Sequence, residues 1–281
     1  MIKVSDILVK SRLSLKESGI KSWNSDALLL LVKVCNLTKE QIIFGRDLEI
    51  DEVVAQKYLE AIDLRAKSMP VAKIIGKKDF FESSFVVSQH VLDPRPDSET
   101  LIETVLAIYK DQNQDFEILE LGVGSGCLIL SLLKLYNNAK AYGVDISQLA
   151  LETAKKNAKN LQVDDRINFV ESDLFSQINQ KFDLIISNPP YIPTKELKNL
   201  DLDVAYDPII ALDGGVDGLD FYRKIAKEAK DYLKKDGKII VEIGFEQHLE
   251  VKDIFGESGF LCIKESKDLA QIIRVLIFSL C

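Results

Sequence analysis

Phe182-Asp183-Leu184-Ile185-Ile186-Ser187-Asn188-Pro189-Pro190-Tyr191 is a short apolar run that ends at a rigid polar turn. Val, Ile and Leu favour a strand covered on both faces, as in a parallel sheet. Two consecutive prolines stop it, because neither has the N–H that an interior strand must donate. Asn188 and Tyr191 are therefore expected at the carboxyl end of a parallel strand, where open α/β sheets bind ligands. Asn188 offers a side-chain acceptor and Pro189 a backbone carbonyl in a fixed direction. Tyr191 offers a flat face. Two acceptors beside a flat face suit a planar –NH2, either a carboxamide or the exocyclic amine of a nucleobase. An isolated turn in which Asn188 bonds locally would use the same residues for nothing more than chain reversal.

Outward from this stretch, the pattern from Phe116 onward alternates strand and helix. Strands are expected at 116–121, 139–145, 167–171, 182–187 and 238–243, and helices at 126–136, 147–160, 218–234 and 246–256. Such alternation predicts a parallel sheet with helices on both faces. The end departs from it. Phe260 to Lys264 and Gln271 to Phe278 read as strands joined by a loop too short for a crossover, so they pair antiparallel.

Glu120-Leu121-Gly122-Val123-Gly124-Ser125-Gly126 follows the first of these strands and opens a helix. Its glycines permit a tight turn and close approach to a ligand. Asp145 closes the second strand roughly 20 residues later, where an acid can accept from both hydroxyls of a ribose. A nicotinamide dinucleotide would use the same two features. However, its G-x-G-x-x-G pattern needs glycine at the position of Cys127. Glu120, just before the loop, would repel a pyrophosphate and suit a cationic amino-acid group. S-adenosylmethionine carries such a group and no phosphate. Asp173 is placed to pair with an adenine amine, with Leu174 or Phe175 against the ring; a plain turn residue is the simpler role for Asp173.

Residues 1–73 read as a helical bundle. Ser5 is expected to cap the first helix, Asn24 or Ser25 the second, Thr38 the third and Asp51 the fourth, which runs through Ala66. The bundle holds no catalytic constellation and reads as a substrate-recognition domain or a packing appendage; Trp23 reads as a packing residue. Residues 74–95 are expected to form a linking β-hairpin around a Glu82-Ser83-Ser84 turn, and residues 96–281 the catalytic domain. Asp97 is expected to cap a helix from Ser98 to Tyr109.

The 281 residues carry a net charge of −8, which argues against a general nucleic-acid binder. Four widely spaced cysteines without a C-x-x-C pair, and two histidines, suit a reducing compartment and leave little for metal or triad chemistry. No metal is expected. Met1 to Gly19 lacks the apolar core of a signal peptide, and Ala27 to Val34 is far shorter than the roughly 20 residues that span a bilayer. A cytoplasmic monomer with no membrane attachment is the expectation.

These motifs resemble class I S-adenosylmethionine-dependent methyltransferases that act on planar nitrogen. Within them, the chain is similar to the release factor glutamine methyltransferase family (PrmC/HemK). The narrower likeness rests on Pro94-Arg95-Pro96-Asp97-Ser98-Glu99, on Ala211-Leu212-Asp213-Gly214-Gly215 with Asp217-Gly218-Leu219, and on Glu242-Ile243-Gly244. Val123 and Leu174 depart from the family's usual Thr and aromatic. The resemblance implies a Rossmann-like sheet behind a helical domain. It also implies transfer of methyl from S-adenosylmethionine, leaving S-adenosylhomocysteine, to the glutamine nitrogen of the Gly-Gly-Gln loop in class 1 peptide chain release factors. Asn188, Pro189, Pro190, Tyr191 and Arg95 would hold the substrate, with Asn188, Pro189 and Tyr191 catalytic. Glu120, Gly122, Val123, Gly124, Ser125, Gly126, Asp145, Asp173, Leu174 and Asn188 would hold the cofactor. The long segment Ile192 to Gly215 would wall the substrate site. A ribosomal-protein glutamine, or a nucleobase amine in DNA or RNA, is the alternative acceptor; a nicotinamide oxidoreductase and a non-catalytic binding protein are further alternatives.

Overall fold

The computed structural model describes residues 1–45 and 47–281. The chain falls into two units, Met1–Lys77 with Asp201–Tyr206, and Lys78–Leu200 with Asp207–Cys281.

The first unit contains helices α1 (Val4–Glu17), α2 (Trp23–Val34), α3 (Lys39–Phe44), α4 (Glu52–Ala66) and α5 (Val71–Ile75). Leu15, Leu30, Leu31, Tyr58 and Ile62 fill its core. Trp23 packs against this core, part-buried. Two of the four expected caps form. Thr38 and Gln41 exchange side-chain bonds with each other's backbone N–H at 3.1 and 2.8 Å, a capping box, and Asp51 accepts from Val53 N at 2.8 Å. Ser5 does not cap α1, which already begins at Val4. Ahead of it, β1 (Ile2–Lys3) pairs antiparallel with β2 (Glu49–Ile50), and Val4 N donates to Leu48 O at 2.9 Å. That pairing satisfies a helix-end donor without a side chain, and it makes the unit not wholly helical. Neither Asn24 nor Ser25 caps α2, which starts at Trp23 behind Ser22.

Asp201–Tyr206 joins this unit through Arg65, whose side chain is 5% exposed. Its Nε donates to Asp26 at 2.7 Å, and its two terminal nitrogens grip Asp203 at 2.9 and 3.0 Å. Removing Asp203 leaves Arg65 still paired with Asp26. With the Asp203 side chain 48% exposed, Asp203→Ala should therefore lower global stability by less than about 1 kcal/mol. Amide exchange in 201–206 should nevertheless accelerate at least tenfold, because the segment's bidentate tether is gone. Unchanged exchange there would show that other contacts hold it.

The hairpin β3 (Lys77–Phe80) and β4 (Ser83–Val86) turns at Phe81-Glu82, one step earlier than Glu82-Ser83-Ser84, with Phe81 at φ 49°. Then come α6 (Glu99–Ile108), β5 (Phe116–Leu121), α7 (Cys127–Leu135), β6 (Ala139–Asp145), α8 (Gln148–Leu161), β7 (Ile167–Glu171), β8 (Phe182–Ser187), α9 (Asp220–Glu228), β9 (Leu233–Glu242), α10 (His248–Glu257), β10 (Phe260–Lys267) and β11 (Ile273–Leu280). Asp97 does not cap α6. It sits in the 3-10 turn Pro96–Ser98 and pairs with Arg274 at 3.1 Å. The helix expected at 218–234 ends at Glu228 and continues as the 3-10 turn Ala229–Tyr232.

The sheet runs β10-β11-β9-β8-β5-β6-β7. Pairs from β9 to β7 are parallel, and β11 pairs antiparallel with both β9 and β10. Side chains alternate between two cores. Ile118, Leu184, Ile186 and Ile240 face α6, α7 and α8, while Leu119, Leu121, Ile185, Ile239 and Val241 face α9 and α10. Two covered faces explain the uninterrupted apolar strands. Strand order reverses about β5: β6 and β7 lie on one side, β8 and β9 on the other. The crevice beyond such a reversal is where an open α/β sheet takes its ligand.

Candidate active site

The glycine loop leaves β5 at that reversal. Val123 N donates to Val144 O at 2.8 Å, and Gly124 N to Asp145 Oδ2 at 2.9 Å, so the loop is tied to the end of β6. Gly122 and Gly124 have φ of 72° and 52°, and a Cβ at either would meet no atom within 4 Å. Their backbone conformation, rather than crowding within the chain, calls for glycine.

The loop borders a cavity of about 240 Å³. Its wall includes Glu120, Gly122, Val123, Gly124, Ser125, Asp145, Asp173, Leu174, Asn188, Pro190 and Arg95. Glu120 is 2% exposed, with Oε2 accepting from Ile129 N at 3.1 Å. Burial, with the Asp145 charge nearby, pushes its pKa well up. A buried acid raised in this way is a ready partner for a cation. Asp145 accepts one backbone N–H on each oxygen, from Gly124 and Ser147, both at 2.9 Å, and burial raises its pKa too. Each oxygen keeps a lone pair for a hydroxyl donor. Thus a cationic, phosphate-free ligand bearing a ribose fits the donors and acceptors that line the cavity.

At the end of β8, Asn188 Nδ2 donates to the buried Ser98 Oγ at 3.1 Å. The amide's NH2 is engaged there, which leaves Oδ1 to accept. Pro190 shares the cavity wall, but Pro189 and Tyr191 are not part of it. Pro189 is buried, and Tyr191 packs against the α9–α10 core. Backbone crowds Tyr191: a Cβ on Gly214 would lie 2.8 Å from Tyr191 Cα, and one on Gly218 would lie 2.4 Å from Tyr191 O. A Cβ on Gly244 would lie 3.0 Å from Tyr191 Cδ2. Gln247 Nε2 donates to Tyr191 O at 3.0 Å. Arg95 reaches the cavity with its guanidinium paired to the buried Asp207 carboxylate. Gly126 is the residue just before α7 and lies outside the wall; a Cβ there would meet Leu130 Cδ1 at 2.9 Å. Of the two residues expected against an adenine, Leu174 lines the cavity at φ 48°. Phe175 does not. It is fully buried and stacks on Tyr232, 4.5 Å between ring centres.

Over 98% of its length the chain is 38% identical to the release factor glutamine methyltransferase of Agrobacterium fabrum, of which the match covers 96%. The chain belongs to the release factor glutamine methyltransferase family. The counterpart in Clostridium acetobutylicum is also 38% identical, with 98% of each covered. A PrmC N-terminal domain matches residues 6–76, and a methyltransferase small domain matches 78–205. The chain also spans 58% of the length of the bifunctional methyltransferase of Rickettsia felis, at 36% identity. Among solved structures, the hMettl16 catalytic domain in complex with MAT2A 3′UTR hairpin 6 superposes with a TM-score of 0.59 at 17% identity, 83% of each chain being covered. That likeness is one of fold.

For this family member, several wall residues escaped the reading of motifs. His90, Val91 and Leu92 precede the Asp93-Pro94-Arg95-Pro96 segment; Ile146 and Ser147 follow Asp145; Phe221 and Lys224 lie on α9. The apolar pair Val91-Leu92 just before a proline-held segment was the available signal. For Phe221 and Lys224 there was none, since helical spacing does not say which face meets a cavity. Ile210 and Ala211 do come from the long segment expected to wall the site; it is built of the 3-10 turns Thr194–Asn199, Val204–Tyr206 and Ile209–Ala211. No group of three or more His, Cys, Asp or Glu suited to a metal occurs among the described residues, and no described helix is long and apolar enough to cross a membrane.

Proposed function

We propose that the chain methylates the side-chain nitrogen of the glutamine in the Gly-Gly-Gln motif of class 1 peptide chain release factors, using S-adenosylmethionine. The observation that carries this reading is the Asn188 carboxamide, in the wall of a cavity suited to that cofactor and with its NH2 committed to Ser98 at 3.1 Å. The name of the family supplies the protein substrate.

Glu120 would take the ammonium, Asp145 the ribose hydroxyls, and Asp173 with Leu174 the adenine, over the Gly122–Gly126 loop. When bound, S-adenosylmethionine supplies a methyl on sulfonium, an electrophile needing no metal. An amide nitrogen is a weak nucleophile because its lone pair is delocalised into the carbonyl. Asn188 Oδ1, in the cavity wall, and the Pro189 backbone carbonyl, although Pro189 itself is buried outside that wall, would accept its two N–H bonds and aim what remains of the lone pair. As positive charge develops on nitrogen, both acceptors bind more strongly, which favours the transition state over the ground state. Holding the amide in line supplies a large further share. The N-methylated cationic amide is acidic enough to lose its proton to water, so no side-chain base is required. Tyr191 serves by fixing the turn that presents these two carbonyls, a change from the stacking face expected of it, since its ring lies outside the cavity wall.

Labelled methyl should pass from S-adenosylmethionine to a purified release factor and should not pass when the Gly-Gly-Gln glutamine is replaced by alanine. Label persisting in that control, or appearing instead on ribosomal protein or nucleic acid, would move the acceptor elsewhere.

A further inference from the structure

β8 and β9 run parallel, with Ser187 opposite Val241, which places Glu242 beside Asn188 at the two strand ends. Glu242 is 2% exposed and its Oε2 is buried without a hydrogen-bond partner among the described residues. Unpaired carboxylate oxygens are costly inside a protein and call for an explanation. Ser98 and, less strongly, Asn188 act on the Glu242 carboxyl as side-chain hydrogen-bond donors that favour its ionised form. The cation whose charge acts on it, Arg274 on β11, is already committed to Asp97 at 3.1 Å and Asp268 at 3.0 Å. The other titratable groups facing Glu242 are Asp97 in the 3-10 turn, Tyr191 after β8, Tyr222 on α9 and Cys127 on α7. Tyr222 donates its hydroxyl to the Glu242 backbone oxygen at 2.9 Å, not to the carboxylate.

We propose that Glu242 is a positioning residue which, acting through the Ser98 hydroxyl, sets which end of the Asn188 carboxamide faces the cavity. Ser98 has one proton to give. When Glu242 is ionised it accepts that proton's hydrogen bond, and the Ser98 lone pairs receive Asn188 Nδ2–H. Asn188 Oδ1 is then turned to the substrate. When Glu242 is protonated it donates to Ser98, whose own proton becomes available to Asn188 Oδ1. The carboxamide then gains equally by flipping, and a flipped Asn188 shows the substrate amide two N–H donors where it needs an acceptor. The active polarity therefore belongs to the ionised state. Burial pushes the Glu242 pKa up to about 7, so the two states exchange near neutral pH. The consequence for turnover rests on the proposed role of Asn188; the coupling of Glu242 to the Asn188 amide does not.

Two measurements separate these claims. In methyl transfer to release factor at saturating substrates, wild-type kcat should rise with pH along a limb centred near 7. Glu242→Gln should remove that limb and lower kcat at pH 8 about threefold, and Glu242→Met should lower it about tenfold. S-adenosylmethionine affinity should stay within about twofold in both, since neither change touches Glu120 or Asp145. A limb unchanged in Glu242→Gln overturns the proposal. Independently of turnover, the Asn188 side-chain NH2 resonances, assigned by their loss in Asn188→Ser, should titrate near pH 7 in wild type. They should not titrate in Glu242→Gln or Ser98→Ala. Resonances insensitive to pH in wild type overturn the proposal even if the enzyme is active. Titrating resonances in a protein that transfers no methyl to release factor would instead sink the substrate reading and leave the coupling standing.

Discussion

Asn188→Ala should lower kcat for methyl transfer by roughly 10²–10³-fold while leaving S-adenosylmethionine affinity within about threefold of wild type. In the proposed mechanism the substitution deletes an acceptor aimed at the nitrogen on which positive charge builds. Removing one such group from a preorganised site costs about 3–4 kcal/mol of transition-state stabilisation. The ground state loses less, because an N–H left without Asn188 can still find water. The residues proposed to hold the cofactor, Glu120, Asp145 and the glycine loop, are untouched. Ser98 loses a donor, but it is a hydroxyl beside an ionisable acid and can re-pair. Asn188→Asp is the sharper control. It keeps the acceptor but sets a second carboxyl next to the buried Glu242, where two neighbouring negative charges are disfavoured and one of the pair takes up a proton. Its activity should recover as pH rises. Single-turnover transfer of labelled methyl, with calorimetric cofactor binding alongside, checks both. Asn188→Ala turning over at a near wild-type rate would remove Asn188 from the chemistry.

Glu120→Gln should weaken S-adenosylmethionine binding by roughly 10–100-fold, corresponding to one lost charge-assisted hydrogen bond of about 1.5–3 kcal/mol. The variant also tests the direction of proton flow. In the ligand-free protein, burial first and the Asp145 charge second raise the Glu120 pKa well above its ordinary value of 4.5. Between those two pKa values the folded state holds a proton that the unfolded state has lost. Ligand-free stability therefore falls as pH climbs through that window. An ammonium against the carboxylate reverses the preference, so binding expels the proton. Affinity should then tighten by up to tenfold per pH unit until pH passes the raised pKa, provided the ligand's amino group, with pKa about 8, stays charged. Calorimetry between pH 5 and 7.5 in buffers of different ionisation enthalpy reads the released proton directly. Wild type that releases none, or Glu120→Gln that keeps the same pH slope, would show that another group meets the ammonium.

β5 and β8 were legible because each is a largely apolar run closed by residues that cannot continue it, the glycines after Leu121 and the prolines after Asn188, and β6 because it ends in the acid Asp145. The antiparallel end was legible from the short link between β10 and β11. Capping was legible only where the helix supplied its own partner, as at Thr38 with Gln41 and Asp51 with Val53. It misled where a distant residue took over the job. Leu48 satisfies Val4, and Arg274 draws away the Asp97 carboxylate. Phe175 had the right neighbours in sequence for a ring contact, but its side chain turns into the core against Tyr232. Ser98 and Glu242 could be quoted as motifs, yet nothing in either motif said they would meet at Asn188. The register of β8 with β9, strands separated by more than forty residues and a run of 3-10 turns, brings Glu242 to Asn188, while Ser98 arrives from the 3-10 turn Pro96–Ser98 before α6.

The crowding around Tyr191 bears on how this scaffold could be evolved in the laboratory. At Gly244 a methyl group would first meet the movable end of the Gln247 side chain, but Gly214 and Gly218 press backbone against Tyr191 so closely that a methyl group would collide at either position. Random libraries at those two glycines should yield mostly misfolded turns, and the pair of carbonyls before Tyr191 will be inherited nearly unchanged by any active descendant. Adaptability lies across the cavity, where Ile210, Ala211, Phe221 and Lys224 contribute side chains from a 3-10 turn and a helix. A search for variants that accept a bulkier amide should therefore randomise those four positions and leave the clamp alone.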